Sequence, residues 1–232
     1  MTDKALYCVS QNCPLLEELS FGNLINCDNF SNHGLFSIAE RSLNLKYLFI
    51  IGSKNIDDNG VMQLVESCHG LRYITMYDCM ELTDISLIAI GEHCPLLREA
   101  DFNNCFNISA RGVYCLIRSC RGLNKLIVSS CTGISDDNID DVKENEQDEA
   151  KNHQTEVKDQ QTEAKDSQLI CKFAIHSHLK DLNLRWCTNI SKATVLRFTG
   201  ICPDLREIDL LDCFNNSNND DFIFRFLTTV NF

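Results

Sequence analysis

No run of eighteen apolar residues occurs anywhere in the chain, so no membrane-spanning helix is expected. The opening residues, MTDKALYCVSQNC, lack a charged lead followed by a long apolar block, and no secretory signal peptide is expected. Bases are scarce: 21 Lys and Arg face 33 Asp and Glu, a formal charge of −12. That balance argues against nucleic acid or an anionic membrane as the main partner. Fourteen cysteines are present, yet no C-x-x-C occurs, which denies zinc its usual paired ligands. There is no glycine-rich phosphate loop, and the six histidines are scattered without a catalytic constellation around them. No cofactor and no metal are expected, and reduced thiols in a cytoplasmic or nuclear setting are the default.

What the sequence does have is one phrase repeated. CHGLRYITMYDC (68–79), CPLLREADFNNC (94–105) and CRGLNKLIVSSC (120–131) each begin 26 residues after the last, with cysteines 11 residues apart. The first leucine of the phrase falls at Leu16, Leu45, Leu71, Leu97, Leu123, Leu179 and Leu205, at gaps of 29, 26, 26, 26, 56 and 26. A fixed period of roughly 20–30 residues marks a solenoid, whose units bury their apolar faces against one another. Seven repeats are expected, with one insertion in the long gap.

Ten of the cysteines occupy two fixed places, three residues before that leucine or eight after it. Such positions stack in columns along a solenoid rather than pairing off, so disulfides are not expected. Each phrase supplies a short strand: in Leu71–Tyr77, Ile74 and Met76 alternate with Tyr73, Thr75 and Tyr77. Crossover segments between the strands require parallel pairing. Leu82-Thr83, Ile108-Ser109, Ile134-Ser135 and Ile190-Ser191 place a capping hydroxyl ahead of a helix. The helices should end at the next cysteine, aided by Gly70, Gly122 or a following proline.

Three boundaries follow. Residues 1–139 form the first repeats, opening on the tail of a helix that carries Leu6 and Val9. Residues 140–169 are an acidic insertion, with ten acidic and four basic side chains and no aromatic ring, a composition expected to be disordered. It should interrupt a helix on the outer side. Residues 170–232 resume the same solenoid and close on a helix carrying Phe222, Ile223, Phe226 and Leu227.

The candidate site is the inner face of the curved sheet, which residues two, four and six places after the first leucine should share. Repeats two and three put Tyr47, Phe49, Ile51, Tyr73 and Tyr77 there, on a surface expected to be exposed to solvent. Glu99 and Asp101 border them, and Arg185 and Trp186 lie beyond. Exposed aromatic clusters tend to mark binding sites, and tyrosine is enriched at interface hot spots.

The strand phrase L-x-x-L-x-L-x-x-C, the 26-residue period and the I-[ST]-[DAK] turn resemble the cysteine-containing leucine-rich repeats of F-box proteins and of antagonist-of-mitotic-exit proteins. The resemblance covers residues 4–139 and 170 to about 227. It implies a right-handed α/β horseshoe, parallel strands on the concave face and helices on the convex face. It also implies substrate recognition for a cullin/F-box ubiquitin ligase, with a protein substrate on the concave face and no catalysis. No F-box is visible, since the chain begins inside a repeat and contains no Leu-Pro dipeptide. A Skp-type adaptor is therefore expected only if that motif lies elsewhere. A stand-alone scaffold or inhibitor of a signalling protein is the second reading. A thiol enzyme is the third, though cysteines at packing positions lack the electropositive setting that activates a thiolate.

Overall fold

The structure, a computed structural model, describes residues 2–22, 30–135 and 177–214. Seven strands lie in chain order in one sheet: β1 (Glu18–Gly22), β2 (Tyr47–Ile51), β3 (Tyr73–Tyr77), β4 (Glu99–Asp101), β5 (Lys125–Ile127), β6 (Asp181–Asn183) and β7 (Glu207–Asp209). Every neighbouring pair is parallel and in step: Tyr47 pairs with Tyr73, Tyr73 with Glu99, Glu99 with Lys125 and Lys125 with Asp181. The last pairing sets β6 directly beside β5 across the long gap between Leu123 and Leu179. Helices α1 (Asp3–Asn12), α2 (Asn32–Ala39), α3 (Asp58–Val65), α4 (Asp84–His93) and α5 (Ala110–Ser119) alternate with β1 to β5, and α6 (Lys192–Gly200) joins β6 to β7. Parallel crossovers of this kind are right-handed. The fold is an open α/β leucine-rich-repeat solenoid.

The alternation within each strand fixes which face is buried. Leu48, Ile50, Ile74, Met76, Ala100, Phe102, Leu126 and Val128 turn inward beneath the sheet, and Leu45, Leu71, Leu97 and Leu123 are wholly buried beside them. Ala100 is followed by Phe102, so a small and a large side chain alternate where the repeats interlock.

Where β4, β6 and β7 end, two backbone groups that a longer ladder would pair are satisfied by side chains instead. In the fourth repeat the Asn103 N–H donates to Asp101 Oδ1 at 2.9 Å, and the Cys105 thiol donates to the Met76 carbonyl at 3.1 Å. The same device recurs with Asn183 and Cys187, and with Asp209 and Cys213. The strand-end cysteines thus serve as small apolar groups with one weak donor, matched to a carbonyl of the preceding repeat. The residue before each is left-handed: Asp78, Asn104, Ser130, Trp186 and Asp212, with Gly52 in the second repeat.

A second column of bonds joins the helix starts. Asp3 accepts from the N–H and hydroxyl of Ser31, Asp58 from those of Thr83, and Asp84 from those of Ser109. Where the next cap is Asp57, the first helical residue is Asn32, whose amide donates to the Asp57 carboxylate at 2.7 Å. Two facing carboxylates are avoided by that exchange. The third helical residue must then be small, because an added Cβ at Gly60 would overlap Asn32 and one at Gly112 would overlap Asp84. Ser86 takes the equivalent place and turns its hydroxyl into a donor to Asp58.

Several expectations are corrected. The opening segment is a complete helix of ten residues, as long as α4 and α5, not a helical tail. Gly70 and Gly122 are not left-handed: among the described glycines only Gly22 and Gly52 have positive φ, and while α1, α4 and α5 stop on the C-caps Cys13, Cys94 and Cys120, α2, α3 and α6 stop on Glu40, Glu66 and Ile201. The thiols of both cysteine columns are free, but Cys115, in neither column, is disulfide-bonded. The insertion at 140–169, the helix it was expected to interrupt and the closing helix at 222–227 lie outside the described residues.

Candidate functional site

The sheet face turned away from the helices is built row by row, because in-register parallel strands set equivalent residues side by side at about 4.8 Å. The first row runs Glu18, Tyr47, Tyr73, Glu99, Lys125, Asp181 and Glu207. Tyr47 and Tyr73 use that spacing to stack, with ring centroids 4.9 Å apart and planes within 12°. The second row sets Phe49, Thr75, Asp101 and Ile127 beside them.

Between these rows lies a pocket of about 160 Å3, lined by Phe49, Tyr73, Thr75, Glu99, Asp101 and Lys125 among others. Its two carboxylates differ. Asp101 is half-buried, and burial pushes its carboxyl above the ordinary range, while the Asn103 N–H and the charge of Lys125 pull the other way. Glu99 is exposed, and its carboxylate makes no hydrogen bond among the described residues. Lys125, the only cation of the lining, lies 3.5 Å from Asp181 on the strand beyond, on the side away from Glu99. The Asn103 side-chain oxygen, two residues past Asp101, is buried without a partner.

Of the nine residues singled out by sequence, the structure gathers Phe49, Tyr73, Glu99 and Asp101 in this pocket, with Tyr47 joined through the stack. Ile51 and Tyr77 are paired at the ends of β2 and β3, off the pocket. Arg185 and Trp186 follow β6, two strands beyond β4, and form a separate patch: Arg185 Nε is 3.6 Å from Asp209, and the Trp186 N–H donates to the Leu211 carbonyl at 2.9 Å. Trp186 is 54% exposed and Leu211 51%. The expectation of a solvent-exposed aromatic surface is corrected: Tyr47, Phe49, Ile51, Tyr73 and Tyr77 are all half-buried, since side chains so close in a row cover one another. Thr75, Lys125 and Ile127 were missed, though their places in the same two rows could have named them.

Eight buried thiols are poorly placed to act as nucleophiles. Burial pushes Cys68 and Cys213 up to about 11 and Cys120, Cys131 and Cys202 up to about 12, and holds Cys94, Cys105 and Cys187 higher still. They remain protonated donors at neutral pH. Among the described residues no group of His, Cys, Asp and Glu is gathered that could hold a metal, and no helix is long and apolar enough to cross a membrane.

No protein-family model matches the chain, and no curated protein is similar to it. Among solved structures it is similar to a chain in the crystal structure of the Rad7 and Elc1 complex in yeast, at 17% identity and a TM-score of 0.44. The match covers 91% of this chain and 54% of that one, so the chain spans about half the length of the structure it resembles. At that distance the likeness carries no argument about function. The class of the fold rests on the repeat itself: a leucine-rich-repeat solenoid with an aromatic and acidic inner face.

Proposed function

We propose that the chain holds a protein partner on the inner face of its sheet, as the substrate-recognition element of a cullin/F-box ubiquitin ligase. One observation carries the binding reading. Two stacked tyrosines and Phe49 border a pocket holding two carboxylates, on a sheet face turned away from the described helices. Amphipathic rings on a rigid sheet supply contact area at low entropic cost, which is why tyrosine recurs at hot spots. The neutral, buried thiols leave cysteine chemistry without support. The ligase role rests on the repeat resemblance and is the finer part of the reading.

Affinity purification of the whole chain from cells tests both parts. Recovery of a Skp-type adaptor and cullin subunits supports the ligase role; their absence alongside a retained partner favours a stand-alone scaffold or inhibitor. Tyr73→Ala should release the partner, and Glu92→Ala on exposed α4 should retain it. The opposite pattern places the partner on the helical side and overturns this reading.

A further inference from the structure

We propose that the pocket between β3 and β4 takes an arginine side chain of the partner, its guanidinium laid on Tyr73 and bonded by Glu99 and Asp101. The inference rests on the inner-face docking reading and deepens it.

Charge comes first. Two carboxylates and one ammonium line the pocket, and that ammonium is drawn toward Asp181. Glu99 spends neither oxygen on a hydrogen bond, and Asp101 spends only Oδ1, on the Asn103 N–H. Three carboxylate oxygens therefore stand without donors around one small concavity, with the Asn103 side-chain oxygen unpartnered nearby. An anion is repelled there, and a neutral side chain leaves the acceptors unmet.

Shape then separates the two cationic residues. Tyr73 is already the second plane of a stack with Tyr47, and Glu99 is its in-register neighbour on the next strand. A planar guanidinium extends such a stack and donates in its own plane to carboxylates. A lysine ammonium is a compact, strongly hydrated point charge with no face to stack. Attraction to the ring adds to the ionic bonds.

Amide-resolved NMR of the intact chain titrated with N-acetyl-arginine amide tests this, with the citrulline and lysine amides as comparators. Citrulline keeps the shape and loses the charge. Arginine should give saturable shifts confined to residues 73–77 and 99–103, with citrulline about tenfold weaker or worse, the ratio that loss of charge-assisted bonding implies. Glu99→Gln combined with Asp101→Asn should abolish the response; asparagine can still accept from the Asn103 N–H, and an otherwise unchanged spectrum reports an intact fold. Equal responses to arginine and citrulline, shifts centred elsewhere, or no response overturn the assignment. If Tyr73→Ala still releases the partner in that case, docking on this face stands and only the arginine falls. A partner retained by Tyr73→Ala removes the docking reading whatever the titration gives.

Discussion

Asp84, the first residue of α4, accepts both the N–H and the hydroxyl of Ser109, the N-cap of α5, at 2.7 and 2.6 Å. One carboxylate thereby satisfies a free helix-start donor in the next repeat while facing the positive end of its own helix. Asp84→Ala should cost ~1–3 kcal/mol in denaturant unfolding, the scale for stranding partly buried polar groups. Glycine at 112 is tied to the same carboxylate, because an added Cβ would lie 2.8 Å from Asp84 Cγ and 3.0 Å from its Cα. Gly112→Ala should be destabilising by ~1–3 kcal/mol. Its penalty should shrink in the Asp84→Ala background by ~0.5 kcal/mol or more, and strict additivity would refute the coupling.

The buried thiols make the fold sensitive to alkali. An unfolded cysteine ionises near ~8.5, whereas burial pushes the native Cys68 and Cys213 thiols up to about 11 and those of Cys120, Cys131 and Cys202 up to about 12. The unfolded chain therefore sheds protons first, and stability should fall as pH rises from ~8.5 toward 11. Unfolding curves at pH 7 and pH 10 check this. A thiol reagent should label the exposed Cys8 and Cys13 quickly and the buried columns only on unfolding.

Asp101 carries the opposite kind of linkage from a salt-bridged carboxylate. Its raised native value means that ionisation costs stability, a cost absent below the ordinary carboxylate range near ~3.9 and imposed as pH climbs through the raised value. Asp101→Asn should raise Tm at pH 7, with the gain vanishing near pH 4. The residue is only half-buried, so solvent keeps the gain small.

On the binding face, Tyr73→Ala should weaken the partner by roughly thirtyfold or more, the effect of losing a ~2 kcal/mol hot spot. Asp101→Lys should act on the association rate and lose its effect in high salt. Leu97→Ala, by contrast, removes a wholly buried side chain and should cost ~2–5 kcal/mol of stability.

The columns of leucine, cysteine and capping hydroxyl were readable because a solenoid returns chemically equal positions at a fixed interval. Seven strands, their parallel order and the site of the long gap followed from counting alone. The carboxylate column was not readable: Asp3, Asn32, Asp58, Asp84 and Ala110 are Asp at only three of five positions, and each bond spans some 25 residues. Its logic lies in the partner, which turns Asp to Asn when the facing cap is Asp57. The pocket was half legible. The rows named its residues, but the tyrosine stack and the pull of Asp181 on Lys125 depend on rotamers that no pattern specifies. Cys115 escaped because it stands outside both cysteine columns.

The joint between β5 and β6 sets how the array comes apart. Lys125 and Asp181 pair in register as closely as any neighbours, although 56 residues of chain separate them where 26 or 29 separate the partners on other adjacent strands. Doubling the loop adds only about 0.6 kcal/mol of closure entropy, so the sheet tolerates it. That extra closure cost falls on one seam of a quasi-one-dimensional stack, where stability is summed neighbour by neighbour. Hydrogen exchange should therefore show β6 and β7 opening as a unit while β2 to β4 stay shut, like a zipper whose last teeth part first.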